Sequence, residues 1–308
     1  MATPIGIFLP TLNGDQQPSV FPRVMVSSNN GGQEMIPAAV QRLVCYMVLA
    51  VSSAVAGPAE SLATNQPVVV SRSQFRVLVL AESGGHHVAF TEAARPWLRK
   101  FGEQSGFALD YLSDTSPITS DFLDRYQLVL QLDFVPYGWK PEAMAAFKAY
   151  IEQGKGGWVG LHHASLLGDF DGHLMWPWFY DFMGKIKFKD YIPKFAAGKV
   201  KVEERNHPCM KGVPESFVIS REEWYTYDRS PRTNVQVLAS VDEASYAPAS
   251  SVKMGDHPVI WTNPHVAARN VYIFMGHGPD LFENPAFTTI LRNAVLWAAQ
   301  TNSPSPPK

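Results

Sequence analysis

From residue 75 onward, short runs of Val, Leu and Ile alternate with longer stretches in which apolar residues recur every three or four positions. The first run, Phe75-Arg-Val-Leu-Val-Leu-Ala81, closes on Glu82-Ser-Gly-Gly85 and reads as a buried strand entering a loop. The spacing then predicts a helix over 91–105, with Thr91 as N-cap and Trp97, Leu98 and Phe101 on one side. Residues 107–112 and 128–132 are the second and third strands, separated by a helical turn over 121–126. Pro141 opens a helix with Met144, Phe147 and Ile151 on one face, and Gly154 stops it. Gly157-Trp-Val-Gly-Leu161 is the fourth strand. Strands separated by helices of this length imply βαβ crossovers, hence an α/β fold with a mostly parallel sheet flanked by helices.

The second half is less regular. Residues 169–190 are aromatic-rich and read as an insertion packed over the sheet edge. Short strands are predicted at 199–202, 218–220, 235–239, 258–261 and 271–274. A last helix over 285–299 carries Phe287, Ile290, Leu291, Ala294 and Ala298 on one face. The pattern contains no internal repeat and implies one domain over 75–300, followed by a flexible Pro/Ser tail at 301–308.

The N-terminus follows other rules. Residues 1–34 have no sustained periodicity and read as untranslated or disordered. After Met35, Arg42 provides a positive region, 43–56 is an uncharged apolar run, and Ala54-Val55-Ala56 is a small-residue cleavage site. This is the layout of a signal peptide over 35–56 with a start at Met35, which predicts a periplasmic or extracellular protein.

Composition narrows the function classes. With a net charge of −2 and no basic tract, a nucleic-acid partner is not expected. No apolar run reaches the ~20 residues of a membrane span, so no stable span is expected after signal cleavage. Cys45 and Cys209 are the only cysteines, too few for a disulfide framework or a Cys-rich zinc site.

The candidate chemistry lies at strand ends, where open α/β sheets bind their ligands. His86 and His87 follow the first strand, Asp133 the third, His162 and His163 the fourth, and His277 the last. Strand, sharp turn and helix around 156–164 is the setting of a nucleophile elbow, but the turn residue is His162 and no G-x-S-x-G frame surrounds Ser165. A Ser- or Cys-triad hydrolase is not expected. Neutral imidazoles with Glu223, Asp133 or Asp171 are a possible divalent-metal set, although no H-E-x-x-H spacing is present. Arg221-Glu-Glu-Trp-Tyr-Thr-Tyr227 joins carboxylates to aromatic faces, which suit sugar rings. The same stretch also reads as a half-buried strand exposing Glu223, Tyr225 and Tyr227 in alternation. No G-x-G-x-x-G or GK[ST] motif supports a nucleotide site.

Together these pieces resemble the trehalose-utilisation (ThuA-like) family of the class I glutamine amidotransferase-like superfamily. The resemblance rests on the first strand ending near His87, Gly-Gly-Trp-Val-Gly-Leu-His162, and Asn206-His207-Pro208 before Gly212-Val-Pro214. It also rests on Glu222-Glu223-Trp224-Tyr225, Pro258-Val-Ile-Trp261 and Met275-Gly276-His277-Gly278, spread over roughly 75–300. It implies a flavodoxin- or Rossmann-like sheet of six or seven strands, no amidotransferase cysteine, and a role around trehalose-type disaccharides and their keto derivatives. It carries over His87, His162, Glu223, Tyr225 and His277. The chain departs from the family pattern at His163, where a small residue is common, and at His265-Val-Ala-Ala-Arg269, where Gly-Lys-Gly-Arg is usual.

Two functions follow. One is an enzyme of keto-sugars or keto-glycosides, an isomerase, lyase or hydrolase, with His162 or Glu223 as general acid/base and His87 and His277 as polarising or ligand groups. Tyr225, Trp224, Asp133 and His163 would then place the substrate. The other is a secreted, non-catalytic carbohydrate-binding protein using the same rim.

Overall fold

Segments made of consecutive Val, Leu and Ile, with no polar alternation, gain most from burial on both faces, which parallel strands provide. The computed structural model describes residues 74–300 and places these segments at the centre of the sheet. Its strands are β1 (Phe75–Ala81), β2 (Phe107–Leu112), β3 (Leu128–Leu132), β4 (Gly157–Leu161), β5 (Phe188–Tyr191) and β6 (Ala196–Val202). They continue as β7 (Ser216–Glu222), β8 (Tyr225–Tyr227), β9 (Gln236–Ala247), β10 (Pro258–Thr262) and β11 (Asn270–Ile273). The helices are α1 (Val88–Ser105), α2 (Ser120–Leu123), α3 (Pro141–Glu152), α4 (Pro177–Phe182) and α5 (Pro285–Ala298).

One nine-stranded sheet runs in the order β2-β1-β3-β4-β11-β10-β9-β6-β7. Its first five strands are mutually parallel, and from β10 onward the pairing turns antiparallel. Nine strands exceed the six or seven implied by the resemblance. The nine match the runs read from the sequence pattern, although β6, β7 and β9 are longer than the short runs expected there. In β6 buried and open residues alternate, as in a strand with one solvated face.

The aromatic insertion also sits elsewhere than expected. Phe179 and Phe182 of α4 pack edge-on against Trp158 of β4, in the middle of the sheet and not over its edge. The following β5 leaves the main sheet and pairs antiparallel with β8. Helix α1 begins at Val88, before the expected Thr91, with His87 at its N-cap in a non-helical conformation (φ −104°). That early start draws His87 to the tip of β1. Strand β8 is buried throughout, so Tyr225 and Tyr227 do not alternate into solvent, and only Glu223 before it is partly open.

Residues 1–73 and 301–308, including the expected signal peptide and tail, lie outside the described residues. Among the described residues no helix is long and apolar enough to cross a membrane.

The turn between β9 and β10 is braced by one buried carboxylate. Glu243 accepts from His257 Nδ1 (2.9 Å) and from the backbone N–H groups of Met254 (2.7 Å) and Gly255 (2.9 Å). Burial opposes its charge, but these partners hold its pKa below the ordinary value. Its contribution is therefore complete above the unfolded carboxyl pKa near 4.3 and disappears as pH falls through the lower folded value. Glu243→Gln is expected to cost about 1–3 kcal/mol at pH 7. In urea unfolding the gap to the parent protein should close as the pH is lowered below about 4.

Candidate active site

Every group of the site leaves the C-terminal end of a strand or lies on a loop at that rim. His87 ends the loop after β1, Asp133 follows β3, His162 and His163 follow β4, Glu223 follows β7, and His277 follows β11. Ligand atoms of His87, His162, Glu223 and His277 lie within 4.8 Å of one another. Four chain segments thus converge on one point, as strand-end logic expects.

His162 turns the chain sharply, with a left-handed backbone (φ +40°). For a non-glycine residue this costs on the order of 1–3 kcal/mol and must be held from outside. The clamp is a buried hydroxyl knot. Tyr272 donates to the His162 carbonyl (3.0 Å), as does Ser165 (2.9 Å), and Tyr227 donates to Ser165 (2.8 Å). Ser165 therefore has a structural task, with no exposed surface. The His162 ring donates from Nδ1 to the Phe274 carbonyl (3.0 Å). Its Nε2 faces the cluster without a hydrogen-bond partner.

The remaining contacts are short. His87 Nε2 and His277 Nδ1 share a proton at 2.8 Å. His277 Nδ1 lies 3.3 Å from Glu223 Oε2, and His162 Nε2 lies 3.7 Å from the same oxygen. At 3.7 Å no hydrogen bond forms, so His162 Nε2 is free to donate its proton to a ligand or, once deprotonated, to coordinate a metal. These separations bracket the roughly 3.3 Å between ligands of a tetrahedral ion with bonds of about 2.0–2.1 Å. The four groups thus fit a divalent cation, and the His162 Nδ1–carbonyl bond is the usual outer-sphere support for a ligating imidazole. Asp171, considered in the sequence for such a set, is not part of it.

Glu222 ties the cluster together. It has no exposed surface. One oxygen accepts from the backbone N–H of Glu223 (2.9 Å), and the other from Gly276 (3.2 Å) and His277 (3.5 Å). Gly276 is wedged so closely that a Cβ there would stand 2.6 Å from the His162 Cβ and 2.7 Å from Asp133 Oδ1.

The charges separate clearly. Burial, reinforced by the four neighbouring imidazoles of His163, His162, His277 and His86, drives the His87 pKa far down, so its ring is neutral. Burial also opposes ionisation of Glu223, but the facing His162 and His277 outweigh it and bring the carboxyl to about 2. His162 loses by burial and gains more from Glu223, Glu222 and Asp133, rising to about 9. Asp133 is also left-handed (φ +54°). Burial lifts its carboxyl well above the ordinary range, and neither oxygen has a hydrogen-bond partner.

Other expected residues have different surroundings. His163 donates from Nδ1 to Glu82 (2.9 Å) and stands edge-on to His87. Tyr225 lies with its ring 4.5 Å from that of His162. Trp224 is turned into the core, stacked on Phe274 and bonded to the Ala196 carbonyl (2.8 Å), so it supports the wall without meeting a ligand. Asp133 likewise has no exposed surface. Cys209 is buried in the turn Pro208–Met210, where burial pushes its thiol up to about 12. Sequence reasoning missed Glu82, Glu222 and the hydroxyl knot. Glu82 was within reach of the strand-end rule, and Glu222 stood beside a chosen carboxylate.

A model of the ThuA family, described as trehalose utilisation, matches residues 76–298. Among solved structures, a ThuA-like protein from Bacteroides uniformis is 33% identical with a TM-score of 0.65, over 73% of this chain and 91% of that one. A ThuA-like protein from Parabacteroides merdae is 20% identical with a TM-score of 0.54, over 75% of this chain and 93% of that one, and shares the fold. No match is found among curated proteins.

Two substitutions test this construction by urea unfolding. Glu222→Gln places an amide NH2 against at least one backbone N–H and is expected to cost about 1–3 kcal/mol. Gly276→Ala drives a methyl into His162 and Asp133, with an expected cost of a similar 1–3 kcal/mol. If both variants unfold with the parent, the packing around Glu222 is wrong.

Proposed function

The chain belongs to the ThuA family, with a carbohydrate function related to trehalose utilisation, and from that premise we propose that it is an enzyme of keto-sugars or trehalose-type keto-glycosides, working by His/Glu general acid–base chemistry. The observation that carries this reading is a carboxylate and an imidazole N–H, pushed apart in pKa, both aimed into one cluster.

A ketone acidifies the neighbouring C–H. Glu223, ionised, takes that proton. The C–H electron pair forms the new C=C bond, and the carbonyl π pair moves to oxygen, which His162 Nε2–H stabilises or protonates. Return of the proton to the same carbon gives exchange, and return to the oxygen-bearing carbon after a proton shift gives isomerisation. Where a glycosidic oxygen stands β to the ketone, its departure gives elimination. Neutral His87, hydrogen-bonded to His277, completes the wall. A divalent cation held by His87, His277, Glu223 and a deprotonated His162 Nε2 would instead take over from the His162 N–H the polarising of the ketone oxygen.

Proton NMR of the protein with a 3-keto disaccharide in heavy water tests the reading. The expected result is deuterium at the carbon next to the ketone, with the rate falling about 10²–10⁴-fold in Glu223→Gln. Loss of exchange on adding a chelator would assign the polarising role to a metal. Line broadening of the sugar without any exchange would reject the enzyme and favour the carbohydrate-binding protein.

A further inference from the structure

The cluster is not an isolated pit, because an unbroken series of ring contacts leads out of it. His162 touches Tyr225 (4.5 Å between ring centroids), Tyr225 touches Phe188 (5.1 Å), Phe188 touches Phe170 (6.0 Å), and Phe170 touches Tyr137 (5.6 Å). Each is a direct aromatic contact. Tyr225 is buried, whereas Phe188, Phe170 and Tyr137 are only half-buried. Large rings kept partly open, side by side, on the rim that carries the chemistry are unexplained by core packing alone.

The outer rings are held in place before any ligand arrives. Phe170 and His173 exchange both backbone hydrogen bonds (3.1 and 2.8 Å), and Met175 N–H donates to Asp169 (2.8 Å). From the facing loop after β3, Tyr137 donates its hydroxyl to Asp171 (3.2 Å). Asp171 is itself exposed and left-handed (φ +52°). The two loops thus gather the half-buried rings of Tyr137 and Phe170, with His173 stacked on Tyr137, beside one exposed carboxylate. A pyranose has the matching surface, with apolar C–H faces to lie on the rings and hydroxyls to donate to the carboxylate.

We propose that Tyr137, Phe170 and Asp171 form a second sugar subsite that receives the distal ring of a disaccharide whose oxidised ring sits at His162. This rests on the keto-sugar reading above and extends it, making the protein selective for keto-disaccharides over keto-monosaccharides. The occupant follows from continuity: the platform joins the site through Tyr225 and Phe188, one ring after another. Sugar stacking of this kind is worth about ten-fold in affinity per ring.

The test compares kcat/KM for proton exchange on a trehalose-type 3-keto disaccharide and on 3-keto-glucose, in the full chain and its variants. The parent is expected to prefer the disaccharide. Tyr137→Ala and Phe170→Ala should each reduce the disaccharide-to-monosaccharide ratio about ten-fold. Tyr137→Phe, which keeps the ring, should retain the preference. An equal loss on both substrates, or no preference in the parent, would overturn the subsite and leave the enzyme reading standing. Exchange of neither substrate would overturn the enzyme reading, and calorimetric titration with trehalose and glucose would then decide the subsite by itself. Weaker trehalose binding in Tyr137→Ala, with glucose binding alike in both proteins, would support it. Identical titrations, or a variant changed only in oligomeric state, would overturn it.

Discussion

A single buried carboxylate, Glu222, holds the site in one piece. Its two oxygens bind the chain at Glu223 on one side and at Gly276 and His277 on the other. These segments leave β7 and β11, which stand at the outer edge and in the middle of the same sheet. A buried carboxylate is tolerated only where hydrogen bonds replace its water. Three backbone donors do so here. The electrostatic consequence extends to His162, whose Nδ1 lies 3.9 Å from Glu222 and whose positive charge Glu222 helps to support.

The second constraint is backbone strain at the strand ends. His162 and Asp133 are both left-handed and crowd the same face of Gly276, which leaves room for neither to relax. The hydroxyls of Ser165, Tyr227 and Tyr272 over-determine the turn from below. The surrounding core therefore offsets strain whose return is an imidazole fixed in tautomer and direction. In related sharp turns after a strand, a Ser or Cys occupies this position as nucleophile. Here the same turn presents an imidazole.

The parallel half of the fold was legible because β1, β3 and β4 are near-continuous apolar runs and α3 has both a proline start and a glycine stop. The convergence of His87, His162 and His277 followed from the rule that parallel strands end on one rim. Glu222 and the hydroxyl knot were not legible, since their partners are backbone atoms that meet only when distant strands close the sheet. Trp224 was misread for a local reason. Its neighbours Glu223 and Tyr225 face the cluster, so strand alternation sends Trp224 into the core. The extent of β6, β7 and β9 was hidden by polar residues on their solvated face, which interrupt an apolar run without interrupting a strand.

In the proposed chemistry His162 and Glu223 act as one unit on one substrate. A double-mutant cycle on the deuterium-exchange rate tests it most directly, with His162→Gln, Glu223→Gln and the pair together. Residues acting as a unit lose function only once, so the double variant is expected to be no slower than the slower single variant. Losses that simply multiply would show two independent contributions and rule out joint action of His162 and Glu223.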